Sequence, residues 1–167
     1  MRAYLAGSIE FSDDGGKDWR RRLRTFLVNE LGHEVYDPSD DGKKNLNEEE
    51  AANFRQWKTT NFERYCAAVR KIINFDLDII ENRIDYVVCH WEEHSSRGGG
   101  TAAELTAAFR RGLPVYVVTE VPLGSISGWV LSCADKVFTS FGGLKSFLIA
   151  EWSRPSKIKS ASANSSF

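Results

Sequence analysis

Three consecutive glycines run into a glutamate in GGGTAAE, residues 98–104. The absence of side chains lets such a backbone turn sharply and approach a ligand closely. The residues that follow are helical in pattern, and a helix start offers free N–H groups and a positive dipole end, which suits an anion such as a phosphate. Glu104 then falls in the first turn. A second reading has the same spacing: Thr101-x-x-Glu104 is a capping box, with Thr101 as N-cap and Glu104 reaching back to its N–H. Spacing alone leaves both open. The glycine run is not the dinucleotide fingerprint, which follows a first strand; no GxGxxG surrounds Gly7. His90 and His94 have the separation of a helical metal pair, but they fall on a strand end and a loop with no third ligand, so neither a metal nor a cofactor is expected. Asp76 and Asp78 lie on an acidic stretch and read as solvated helix acids.

The elements that must carry these residues alternate. Residues 2–6 form a short apolar strand ending at Gly7. A helix over 17–31 shows one apolar stripe, Trp19, Leu23, Phe26, Leu27 and Leu31, and stops at Gly32. Trp19 reads as core, and Arg20, Arg21, Arg22 and Arg24 as a solvated face. Residues 33–36 are a second strand and 39–47 a polar loop. Residues 48–83 are helical in composition but too long for one helix, so a break is expected, with Asn74 as the cap of a last helix. Cys89 and its neighbours, 85–91, form a third strand, with Asp85 a structural residue at its start. A loop over 92–100, a helix over 102–111, a fourth strand over 113–119, a loop over 120–132, a fifth strand over 136–139 and a helix over 143–152 follow. The tail from 153 is Ser-rich, has no core pattern and is expected to be disordered. One domain over 1–152 results: an α/β, flavodoxin-like doubly wound sheet of five parallel strands with helices on both faces. In such folds ligands bind beyond the carboxyl ends of the strands, which places the loops after the first, third and fourth strands at the site.

Composition narrows the function classes. The 167 residues suit one core. With 22 basic and 23 acidic residues the net charge is −1, which argues against a coat for a nucleic-acid polymer. No apolar run approaches the ~20 residues of a membrane span, and the acidic Glu10, Asp13 and Asp14 directly after the first strand argue against a secretory signal. Three scattered cysteines without a CxxC pair fit a reducing, cytoplasmic compartment.

Five segments occur in a familiar order: YLAGSIEF at 4–11, EVYDP at 34–38, NFDLDIIENRIDYVV at 74–88, GGGTAAELTAAFRRGLPVYVVT at 98–119 and ADKVFTSFGGLKSFL at 134–148. In this order they resemble the nucleoside 2-deoxyribosyltransferase family and its relatives that hydrolyse nucleoside 5'-monophosphates. The resemblance implies that Glu104 is a nucleophile on the anomeric carbon of the sugar, forming a glycosyl-enzyme ester that water or a second base resolves. The helix dipole would favour its carboxylate form. It implies further that Asp76 holds the base and supplies its proton, that Tyr4 orients Glu104, and that Gly7, Ser8, Gly98, Gly99, Gly100 and Thr101 line the substrate. Ser127 matches a position that a neighbouring subunit contributes, so a homodimer or higher homo-oligomer is implied. One departure bears on substrate. The deoxyribosyltransferases carry an aspartate where Gly98 stands, to hold the sugar 5'-hydroxyl; glycine, preceded by Ser95, Ser96 and Arg97, would not repel a 5'-phosphate. The implied partner is a small nucleoside or nucleotide. The alternative, from another class, is a non-catalytic nucleotide-binding or sensing domain in which Glu104 is only the cap.

Overall fold

A computed structural model describes residues 1–40 and 44–152. Five strands, β1 (Arg2–Gly7), β2 (Glu34–Tyr36), β3 (Tyr86–His90), β4 (Val115–Val118) and β5 (Lys136–Phe138), form one parallel sheet in the order β2-β1-β3-β4-β5. This is the flavodoxin-like doubly wound order, and the switch in chain direction across the sheet falls between β1 and β3. Short apolar runs become central strands here because helices cover them on both faces. Side chains alternate accordingly. Ala3 and Leu5 pack with Trp19, Leu23 and Leu144 under α1 (Lys17–Leu31) and α6 (Phe141–Trp152). Tyr4 and Ala6 face the other way, into a core with Ile80, Leu105 and Val130 from α3 (Phe62–Asn82), α4 (Gly100–Arg110) and α5 (Gly128–Cys133). A third, small cluster of Leu46, Trp57 and Ala68 attaches α2 (Glu48–Thr60) to α3, outboard of the sheet.

Several boundaries differ from the sequence reading. The long helical stretch breaks at Asn61, not at Asn74. Asn61 donates its N–H to the Trp57 carbonyl, closing α2, and its side chain accepts from the Arg64 N–H, opening α3. One residue thus meets the needs of two helix ends; Asn74 lies exposed inside α3. The loop over 92–100 contains a 3-10 turn, Glu93–Arg97, and the loop over 120–132 contains α5, whose N-cap is Ser127. The N-cap of α4 is Gly99, with no side-chain cap, so Thr101 is already inside the helix.

Cys66, Cys89 and Cys133 are free thiols, and among the described residues no helix is long and apolar enough to cross a membrane. The tail expectation lies outside the described residues, as does the part of the polar loop at 41–43.

Candidate active site

The alternation along β1 buries Tyr4 toward α4, and its hydroxyl donates to Glu104 Oε1 at 2.7 Å. Glu104 does not fold back on its own backbone, and the capping-box reading is overturned: the side chain crosses to a strand 100 residues away in sequence. The Tyr4 ring stacks on Tyr36 at 5.4 Å. Tyr36 Oη donates to Asp76 Oδ1 at 3.3 Å, and Lys44 Nζ donates to Asp76 Oδ2 at 2.7 Å. Glu104, Asp76 and Lys44 line one cavity of about 380 Å³ at the carboxyl edge of the sheet. Its outer wall is α2, which contributes Phe54, Arg55 and Lys58.

Burial sets the charge state of the central carboxyl. Removal from water lifts Glu104 to about 7, against the opposing pull of the Tyr4 hydrogen bond; Asp76 adds to the rise, while Lys44 and Arg20 counter it. The expectation that the helix dipole would hold Glu104 as a carboxylate is therefore corrected. Glu104 is in the second turn of α4, beyond the dipole's short reach, and desolvation outweighs the rest. Burial, followed by the Glu104 charge, pushes Tyr4 well above its ordinary value, so its phenol keeps the proton it donates.

Of the residues expected at the site, Gly7, Ser8, Asp76, Gly98, Gly100, Thr101 and Glu104 line the cavity, and Tyr4 sits behind Glu104. Gly99 and Ser127 do not line it. Ser127 is exposed, its Oγ accepting the Trp129 N–H at 3.3 Å. The glycine run is not required by the turn: none of the three has a left-handed φ, and a Cβ at Gly99 or Gly100 would meet nothing. What these glycines do is leave the start of α4 bare. Asp76 reaches the cavity from within an unbroken α3, although no helix begins at Asn74. Helices rise about 1.5 Å per residue and strands about 3.3 Å. Asp76 is thus about 9 Å above the end of α3, beside Tyr36 at the end of β2, and the rest of the helix overshoots the edge.

Two residues escaped the sequence reading. Lys44 lay in a polar loop, where composition does not separate a buried lysine from solvated ones. Arg20, assigned to a solvated face, is fully buried. Its signal was its place beside Trp19 at the margin of the stripe, opposite Gly7, Gly15 and Gly16. Arg21 and Arg22 are exposed as expected, on Asp18. Asp78 pairs with Arg83, and Asp85 accepts the Arg2 N–H at 2.6 Å; both hold local structure.

A wider hollow of about 960 Å³ lies on the opposite face, between α1 and α6, but none of Tyr4, Asp76 and Glu104 lines it. His90 forms part of its floor against Trp19 and Phe141, and burial lowers the imidazole to about 4. Among the described residues no group of three or more His, Cys, Asp or Glu is arranged to hold a metal.

No family model and no curated protein sequence matches this chain. A solved structure does: the 2-deoxyribosyltransferase of the psychrotolerant bacterium Bacillus psychrosaccharolyticus, at 18% identity and a TM-score of 0.59, over 91% of this chain and 96% of that one. The two chains share a fold. At that identity the likeness is one of fold, the sheet and its helices.

Proposed function

We propose that the protein cleaves or transfers at the N-glycosidic bond of a (deoxy)nucleoside or nucleoside 5'-monophosphate through a covalent glycosyl-glutamate intermediate. The observation that carries this reading is the Tyr4–Glu104 hydrogen bond at the wall of the cavity. A half-buried carboxyl held by one oxygen beside a hollow supports attack on a bound sugar better than capping of its own helix. The fold shared with a deoxyribosyltransferase supports it.

In this reading Tyr4 fixes Glu104 Oε1, and Oε2 attacks the anomeric carbon as the C–N bond to the base breaks. The bonding pair leaves on the base, which is a poor leaving group unless protonated. Asp76 holds the base edge and relays a proton from the Lys44 ammonium to the departing base, and the attacking water or second base later returns one. Water or a second base then attacks the same carbon and releases Glu104. Gly7 and Ser8 line the sugar. The bare start of α4 at Gly98, Gly100 and Thr101 faces the 5' end, where a Cβ at Gly98 would meet only the Phe11 ring at 3.5 Å. A neutral surface there accepts a phosphate as readily as a hydroxyl.

Ser127 enters this site only from a second copy, so the proposal includes a homodimer or higher homo-oligomer. The exposed Trp129 and Phe109 on α5 and α4 are the apolar surface available to it.

The test is to incubate the protein with deoxynucleosides and with their 5'-monophosphates and to follow free base by chromatography, with Glu104→Ala alongside. Base release that disappears in a folded Glu104→Ala supports the enzyme. Nucleotide binding without base release in the parent supports the sensing domain instead.

A further inference from the structure

Arg20 is a cation with no access to water and no substrate to touch, yet it meets the back of the cavity wall. Its Nε donates to the Leu5 carbonyl at 3.1 Å and Nη2 to Gly7 at 2.8 Å. Nη1 donates to Gly16 at 3.0 Å and Gly15 at 3.3 Å and lies 3.5 Å from the Ser8 carbonyl. Asp37 Oδ1 is 3.5 Å from Nε, and the same oxygen accepts the N–H and hydroxyl of Ser39. One guanidinium therefore ties the end of β1, the loop to α1 and the turn after β2. Gly7, Ser8, Pro38 and Ser39, all held by this network or next to it, line the cavity. The loop is built to receive it: Gly16 has a φ of +68°, and a Cβ there would overlap Arg20 Nη1 and come within 2.6 Å of the Ser8 carbonyl.

Burying a charge against carbonyls is an expensive way to fill space, and a well-packed apolar side chain serves stability at least as well. What a planar fork of five donors adds is geometry. We propose that Arg20 is a positioning residue for the reaction centre: from behind the cavity it fixes the 7–16 loop and the turn after β2, so that Gly7, Ser8 and Pro38 stand at the distance the sugar needs. This rests on the proposed cleavage at the glycosidic bond. A wall displaced by about 1 Å lowers the rate by roughly 100-fold.

The experiment compares the parent with Arg20→Lys and Arg20→Gln, by amide hydrogen exchange over 7–16 and by kcat and KM for base release across pH. Lysine keeps the charge but cannot span five carbonyls. We expect both variants to exchange faster at 7–16 with β3 and β4 unchanged, and kcat/KM to fall roughly 100-fold. Arg20→Gln also moves the pH midpoint upward, because it removes one charge around Glu104; the others there are Tyr4 of β1, Asp76 of α3 and Lys44 ahead of α2, with the Cys89 thiol of β3 alongside. If Arg20→Gln does not fold, Arg20→Lys carries the comparison. Parent-like exchange at 7–16 in a folded variant overturns the proposal, as does parent-like kcat/KM. A parent that releases no base defeats the proposed activity instead, and exchange at 7–16 then decides the role of Arg20.

Discussion

In the proposed reaction the carboxyl of Glu104 faces two demands that pull apart: to attack it must be ionised, and its burial resists ionisation. With Glu104 lifted to about 7, the carboxylate fraction grows as pH rises through neutrality. We therefore expect kcat/KM for base release to climb with pH and level off above about pH 8; a profile already flat from about pH 5 upward would contradict the assignment. Tyr4 stabilises the ionised form, so Tyr4→Phe should shift that midpoint to higher pH. It should also reduce the neutral-pH rate by roughly 10- to 100-fold, the worth of a hydrogen bond to a charged group. A drop without a shift in the midpoint would mean that Tyr4 acts on substrate and not on Glu104.

At the scale of elements, α2 is the part of the cavity wall least anchored to the sheet. It packs on the rest of the molecule through Trp57 on Leu46 and Ala68, is tied by the Glu49–Arg64, Glu50–Lys71 and Lys58–Glu10 ion pairs, and starts at a capping box in which Asn47 and Glu50 satisfy each other's N–H groups. Asn47→Ala should remove about 1 kcal/mol from that helix. Because α2 walls the cavity without reaching Glu104, the kinetic effect expected under the proposed reaction is a higher KM with kcat nearly unchanged; the opposite split would place α2 in the chemistry. The break between α2 and α3 also shows the reach of sequence signals. Asn61 and Asn74 are both plausible caps, but only Asn61 lies where a helix end is left open by the packing of Trp57 and Ala68.

For the whole molecule, the raised Glu104 works against stability. At Glu104 the folded protein binds more protons than the unfolded chain between about pH 4.5 and about pH 7, so this group's contribution to stability falls as pH rises through that window, while half-buried His90, lowered to about 4, opposes it. Glu104→Gln keeps an acceptor for Tyr4 and removes the charge. It should raise the unfolding free energy by about 3 kcal/mol near pH 8, with the gain vanishing toward pH 4, while abolishing base release. Denaturant unfolding at the two pH values checks this. Equal stabilities at high pH would show that the carboxyl is solvated. His33 acts in the opposite sense. Burial lowers its imidazole, so its contribution is present above the usual histidine range and is lost as pH falls.

The order of strands and helices, the parallel sheet and its carboxyl edge were legible in the chain, because period and punctuation are local: apolar runs, the stripe from Trp19 to Leu31, and glycines at the stops. The pairing of GGGT with Glu104 was legible as a motif but ambiguous, since a cap and a nucleophile share one spacing. Tertiary structure removed the cap by turning Glu104 to the Tyr4 hydroxyl at 2.7 Å, and the nucleophile is the proposal that remains. It also decided what no local pattern encodes. Arg20 and Lys44 are charged residues in polar surroundings by sequence, and only the closing of distant loops around them excludes water. Burial is a property of the assembled neighbours, and at this site burial sets both the charge on Glu104 and the seat of Arg20.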